Sequence, residues 1–208
     1  MTFDLVVVGP LGVNCLLLGC EATGQGVVVD PGGDVEQIMA VVQKQGLTVT
    51  AIINTHGHFD HVGGNRRLKE ATGAELLIHR DDEPLLGRVA DVAGMYGMRG
   101  ENSPAPDRYL EDGLVIPFGR HTLQVIHTPG HTPGGCCLYL EAERKLLSGD
   151  TLFADGVGRT DLPGGSYEQL TTSIRTRLFL LPDDLEVWPG HGPATTIGHE
   201  KRHNPYLD

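Results

Sequence analysis

Seven side chains of metal-ligand type punctuate this sequence. The run His56-Gly57-His58-Phe59-Asp60-His61 comes first, and His131 follows in His127-Thr128-Pro129-Gly130-His131-Thr132-Pro133-Gly134. Asp150 lies in Ser148-Gly149-Asp150-Thr151, and His191 in Pro189-Gly190-His191-Gly192. Together they supply five imidazoles and two carboxylates, enough for two cations that share one carboxylate. Imidazole with carboxylate suits zinc, iron or manganese. A paired site of that kind activates water for hydrolysis. A lone HxHxDH run also describes a polar surface loop; three further ligand-bearing loops in order make chemistry the stronger reading. Structural zinc sites are closed, four-coordinate and often rich in cysteine, unlike this set of nitrogen and oxygen donors.

Spacing says how such groups could converge. Residues two apart in an extended chain face the same way, so His56 and His58 can address one ion from a strand end. Asp60 and His61 lie just beyond, where the chain turns into a helix, and can address a second. Gly57 permits the bend, and Gly63-Gly64 let that helix start close to the cluster. His131, Asp150 and His191 each follow a separate β-branched or apolar run. The site therefore belongs at the ends of several strands, where open α/β sheets collect ligands.

The elements that must do this positioning are legible as short apolar runs between turns. Strands are expected at 3–8, 14–19, 27–29, 50–54, 75–78, 114–118, 123–127, 136–140, 145–147 and 186–188. Asp34 reads as an N-cap for a helix carrying Val35, Ile38, Met39 and Val42, which Gly46 closes. Further helices are expected at 65–72, around Leu170, Ile174 and Leu178, and at 197–203. The fold class is α/β (α+β): two sheets face to face with helices outside, a four-layer αββα sandwich. Residues 84–108 are rich in Gly, Pro and Met with poor periodicity, and read equally as a mobile lid or a loose excursion.

Bulk properties narrow the function. A chain of 208 residues fits one compact domain, or at most two small ones. The formal charge is −11, and there is no Lys/Arg run, which argues against nucleic acid or an anionic membrane as partner. A small anionic substrate would need a local positive feature, which bound cations would provide. Cys15, Cys20, Cys136 and Cys137 match neither a disulfide framework nor a CxxC zinc motif and read as buried thiols. The start lacks a basic segment followed by an apolar stretch, and no run reaches the ~20 apolar residues of a membrane span; the expectation is a cytoplasmic protein. His79, His121, His199 and His203 read as surface or capping residues. His199 and His203 are spaced to chelate on a helix, with nothing else in the sequence pointing to them. His127 reads as structural.

These motifs resemble the metallo-β-lactamase superfamily over about residues 3–207, including Asp30 in Val29-Asp30-Pro31-Gly32. Within it the chain is similar to short, single-domain bacterial glyoxalase II-like thioester hydrolases, through residues 54–65, 149–153, Gly158-Arg159-Thr160-Asp161, 189–193 and Asn204-Pro205-Tyr206-Leu207. The resemblance implies that His56, His58 and His131 hold one divalent metal, zinc before iron or manganese. It implies that Asp60, His61 and His191 hold a second, that Asp150 bridges them, and that Asp30 steadies the ligand loops from outside. Asp60 and Asp150 would be catalytic, and a metal-bridging hydroxide would attack S-D-lactoylglutathione or a related 2-hydroxyacyl thioester. The glutathione-binding C-terminal helical domain of larger relatives is not expected. Gly192-Pro193 and Asp161 stand where those relatives carry tyrosines, leaving Arg159 to bind substrate. The alternative is a persulfide dioxygenase with a single iron, which shares the Gly-Arg-Thr-Asp segment. A β-lactamase is disfavoured because many lack a bridging carboxylate at the Asp150 position.

Overall fold

The computed structural model describes residues 1–207. The first sheet is built in spatial order from β1 (Thr2–Val8), β2 (Val13–Gly19), β3 (Gln25–Val29), β4 (Thr48–Ile53), β5 (Glu75–His79) and β6 (Arg108–Leu110). β1, β2 and β3 pair antiparallel, and β3 to β6 run parallel. The chain continues through β7 (Val115–Phe118), β8 (His121–His127), β9 (Cys136–Leu140), β10 (Lys145–Gly149), a small hairpin of β11 (Leu152–Phe153) and β12 (Gly156–Val157), then β13 (Glu186–Pro189) and β14 (Thr195–Thr196). Apart from the hairpin these form the second sheet, in the order β14-β13-β10-β9-β8-β7. Helices are α1 (Val35–Gln45), α2 (Phe59–Val62), α3 (Asn65–Thr72), α4 (Glu83–Leu86), α5 (Val89–Met95), α6 (Tyr167–Thr176) and α7 (Ile197–His203).

Side-chain alternation assigns the layers. Leu16, Leu18, Val27, Val29 and Ile53 from the first sheet meet Phe118, Leu123, Val125 and Leu138 from the second in a central core. The intervening residues Leu17, Val28 and Ile52 point outward onto Val35, Ile38 and Val42 of α1 and Leu68 of α3. On the other side Cys137, Leu146 and Val187 pack against Leu170 and Ile174 of α6 and Ile197 of α7. This is the αββα sandwich that the sequence predicts. Each fully buried Leu or Ile contributes roughly 1.5–3 kcal/mol, and both faces of each sheet are covered. Adjacent Cys136 and Cys137 enter different cores, and all four cysteines are buried and free. Among the described residues, no helix is long and apolar enough to cross a membrane.

Two expectations are corrected. Asp34 stands at the start of α1 in a left-handed conformation (φ 45°), and its side chain makes no cap bond. It accepts instead from the Gly9 amide at 2.8 Å, tying the β1–β2 turn to the helix. Gly46 does close α1, with φ 64°. Residues 84–108 are not a loose excursion. They contain most of α4 and all of α5, whose Leu86 and Val89 pack on Val62 and Ile78. Helices of four and seven residues are too short to show a periodic pattern.

Candidate metal centre

All seven ligand-type side chains arrive at one edge of the sandwich. The HxHxDH run leaves the end of β4, with His58 still extended (φ −66°, ψ 145°) and α2 beginning at Phe59. His131 sits between β8 and β9, Asp150 directly after β10, and His191 directly after β13. Both sheets thus deliver donors to the same place.

The nitrogens gather into two groups. His131 Nε2 lies 2.9 Å from His58 Nδ1 and 3.3 Å from His56 Nε2, which are 3.1 Å from each other. A Zn–N bond of about 2.0–2.1 Å separates two tetrahedral ligand nitrogens by about 3.3 Å, so a cation fits among them. Asp60, His61 and His191 make the second group, with His61 Nε2 3.2 Å from His191 Nε2 and Asp60 Oδ2 3.3 Å from the latter. Asp150 stands between. Its Oδ1 is 3.4 Å from His61 Nε2, and its Oδ2 is 3.6 Å from His131 Nε2 and 3.8 Å from His191 Nε2. That Oδ1 is buried, with no hydrogen-bond partner among the described residues. A buried carboxylate oxygen without a donor is costly, and a cation would satisfy it. The donor set therefore fits two metal ions with Asp150 shared.

Outward bonds orient the rings. His131 Nδ1 donates to the Arg159 carbonyl at 2.7 Å, and His191 Nδ1 to the Leu11 carbonyl at 3.2 Å. His61 Nδ1 donates to Asp30 Oδ2 at 3.1 Å. The Thr55 hydroxyl donates to Asp30 Oδ2 at 2.6 Å and so accepts from His56 Nδ1 at 3.1 Å. Carbonyls and carboxylates only accept, so each of these four rings carries a proton on its outer nitrogen and turns Nε2 toward the cluster. Asp30 is buried at φ 52° and also takes the Thr55 amide at 2.8 Å.

A model of the metallo-beta-lactamase superfamily matches residues 8–191. The chain belongs to that superfamily. It is 36% identical over 211 residues to hydroxyacylglutathione hydrolase GloC of Haemophilus influenzae, covering 100% of this chain and 99% of that protein. BLEG-1 B3 metallo-beta-lactamase superposes with a TM-score of 0.92 at 35% identity, over 99% of both chains. TTHA1623 in a di-iron-bound form gives 0.90 at 41% identity, over 98% of this chain and all of that one. ETHE1 from Myxococcus xanthus gives 0.81 at 31%, over 99% and 84%.

Several parts of this superfamily site escape sequence reasoning. Asn14 clamps the His191 loop, donating to the carbonyls of Pro189 and Gly192, both at 2.9 Å. Buried Asp82 bonds the loops on either side of the first group. Gly190 is required because a Cβ there would lie 2.3 Å from Asp150 Oδ1 and 2.7 Å from His61 Cε1. The other histidines are structural: His79 accepts the Asp81 amide and stacks on His127, whose Nε2 bonds the Pro133 carbonyl. His121 pairs with Glu143. His199 is less isolated than its sequence context suggests. Asp155 Oδ1 lies 2.7 Å from it, and Glu200 is adjacent, although the Glu200 oxygens are already taken by Asp155 N, the Thr195 hydroxyl and Asn204 Nδ2.

A cleft of about 610 Å³ opens over the cluster. One wall is Leu85, Val89, Val92, Met95 and Tyr96, so the first half of the 84–108 segment borders the site, with Tyr96 stacked on Phe59 at 5.5 Å. Arg159 lines the cleft but is held in a two-pronged pair by Asp161 (2.8 and 2.7 Å). Arg88 also lines it and has no carboxylate partner among the described residues.

The two groups differ electrically. Burial and the neighbouring imidazoles hold His56 well below the usual histidine range and His58 down at about 3; burial also lowers His131. Burial opposes charge on His61 too, but Asp150 and Asp30 overcome it and raise the ring to about 10. A hydrogen bond with Asp60 raises His191. Burial alone would raise Asp60, yet His191 and His61 bring it to about 2. Without metal at pH 7, His61 therefore keeps its second proton while His56 and His58 are neutral. A cation held through His61 Nε2 must displace that proton. Metal titration at pH 7 is expected to release about one proton or more per chain, read by calorimetry in two buffers of different ionisation enthalpy; heats independent of buffer would mean that His61 is neutral. Gly190→Ala should weaken metal retention at least about tenfold with the fold kept. Competition against a chelator measures it, and an unchanged curve would show that the close approach is unimportant.

Proposed function

We propose that the chain is a dinuclear metal-dependent hydrolase of thioesters, with S-D-lactoylglutathione or a related 2-hydroxyacyl thioester as substrate. The observation that carries this reading is Asp150, whose carboxylate stands between the two groups of ligand-type side chains, Oδ1 near His61 and Oδ2 near both His131 and His191. Identity of 36% to a hydroxyacylglutathione hydrolase along the whole chain supports the substrate class. Zinc suits the donors, and iron is bound by a relative of similar architecture. Two such ions would lower the pKa of water to about 7 and polarise a carbonyl.

The chain's own residues do the rest. Asp60 and Asp150, which line the cleft, would orient the attacking water. The apolar wall from Leu85 to Tyr96 excludes bulk water and accommodates the acyl or thiol portion. Arg159 would meet an anionic group of the substrate once that group competes with Asp161. The leaving group is a thiolate, with a thiol pKa near 8.5, so no strong general acid is required. A single-iron oxidation of a persulfide is the second reading, supported by the Gly158-Arg159-Thr160-Asp161 segment and the likeness to ETHE1, whereas the iron-bound relative of similar architecture holds two ions. A cluster with seven converging donors fits two ions better.

The test is one metal-loaded preparation offered S-D-lactoylglutathione, a persulfide and a β-lactam, the last because of the likeness to BLEG-1. Thioester cleavage without oxygen uptake is expected, falling about 100-fold or more in Asp150→Ala together with loss of metal. Oxygen consumption with the persulfide, and no thioester turnover, would overturn the proposal.

A further inference from the structure

We infer that Asp82 is the positioning residue of the first metal position, holding His56, His58 and His131 in one geometry from behind. The inference rests on the reading above, in which those three histidines bind a cation. Asp82 ends a short 3₁₀ turn after β5, far from the motif runs, and is fully buried. Its Oδ2 accepts the Gly57 amide at 2.9 Å and the Thr132 hydroxyl at 2.7 Å, and its Oδ1 accepts the Gly134 amide at 2.7 Å. Gly57 lies between His56 and His58; Thr132 and Gly134 follow His131. One carboxylate therefore joins the two loops that supply all three histidines.

The neighbouring glycines fit the same role. A Cβ at Gly134 would stand 2.7 Å from the Asp82 carboxyl carbon, and one at Gly57 would stand 2.8 Å from the Asp82 carbonyl oxygen. Both loops are thus stripped to backbone where Asp82 reaches them. The carboxylate is met by three neutral donors and by no Lys or Arg among the described residues. A cation at the first position would supply compensating charge across the loops. Asp30 divides the labour differently: it bonds His61 directly and Thr55 at the exit of β4.

Asp82→Asn preserves shape but turns an N–H toward groups that themselves donate, so at least one of the three bonds is lost. The expected result is a 10–100-fold weakening of one metal equivalent with the other unchanged. Metal content against a graded chelator reads this, with His58→Ala and His191→Ala marking which equivalent is which and cobalt absorption reporting ligand geometry. Melting of the metal-free proteins separates folding from positioning. If Asp82→Asn lowers metal-free stability but leaves both chelator curves at wild type, the inference fails. If Asp82→Asn does not fold, Thr132→Val removes one bond without touching the charge and should weaken the same equivalent by a smaller factor; no shift there also overturns the inference. If His58→Ala itself loses no metal, the underlying metal assignment has failed, which is a different outcome from an unaffected Asp82→Asn.

Discussion

Five imidazole nitrogens are pressed together at the edge of this sandwich, some only about 3 Å apart. Lone pairs at that distance repel unless a proton or a cation lies between them. The structure meets this cost from outside the cluster. Four of the rings are gripped at their far nitrogen by a carbonyl, a carboxylate or a hydroxyl. Each grip fixes a tautomer and a ring plane at once. Rotating any of these four rings to relieve the repulsion would break its outer bond, and three of those bonds are at least partly buried. The cluster is therefore preorganised for cations at the expense of its own internal electrostatics.

Those grips come from remote parts of the chain, which is why both sheets are needed. Leu11 and Asn14 belong to the first β-hairpin yet hold His191, about 180 residues later in sequence. The Asn14 amide also pairs with the Gly190 carbonyl at 2.8 Å, and Gly190 returns a bond to Gly149 beside Asp150. The loops approach closely only because several positions have no side chain. At Gly158 a Cβ would sit 1.9 Å from the Asp150 carbonyl oxygen and 3.1 Å from His131 Nδ1. Ligand geometry is thus a property of how the two sheets are docked, and the central core of Leu18, Phe118 and Leu138 sets that docking.

The legible part of this molecule was whatever is local or periodic. The succession of apolar runs and helical faces gave the layers, Gly46 the end of α1, and the ligand-bearing loops their order. The burial of Cys136 and Cys137 was expected, but their entry into different cores shows only in the folded chain. Long-range partnership was not legible. Asp82 looks like an ordinary acidic residue in Arg80-Asp81-Asp82-Glu83, and only the folded chain shows the two loops it joins. Asp34 has the composition of an N-cap, but a backbone amide from the β1–β2 turn claims its carboxylate. Arg159 carries the right charge for an anion, and its pairing with Asp161 two residues on emerges only when both side chains have directions.

The two halves of the cluster are not electrically equivalent, and the surroundings of the cleft follow the difference. The first group is made of three neutral rings, whereas His61 of the second is enclosed by Asp30, Asp60 and Asp150. Equal cations at the two positions would be neutralised unequally, and the residual positive potential would be greater beside His58. His58 is also the ring of that group nearest the cleft mouth, alongside Arg88 and Arg159. In a chain of net charge −11, Arg88 and Arg159 are the two guanidinium groups that line this cleft. Asp161 offsets one of them through its two-pronged pairing with Arg159. The cleft over the cluster therefore combines two guanidinium groups with the apolar wall of Leu85, Val89, Val92 and Met95.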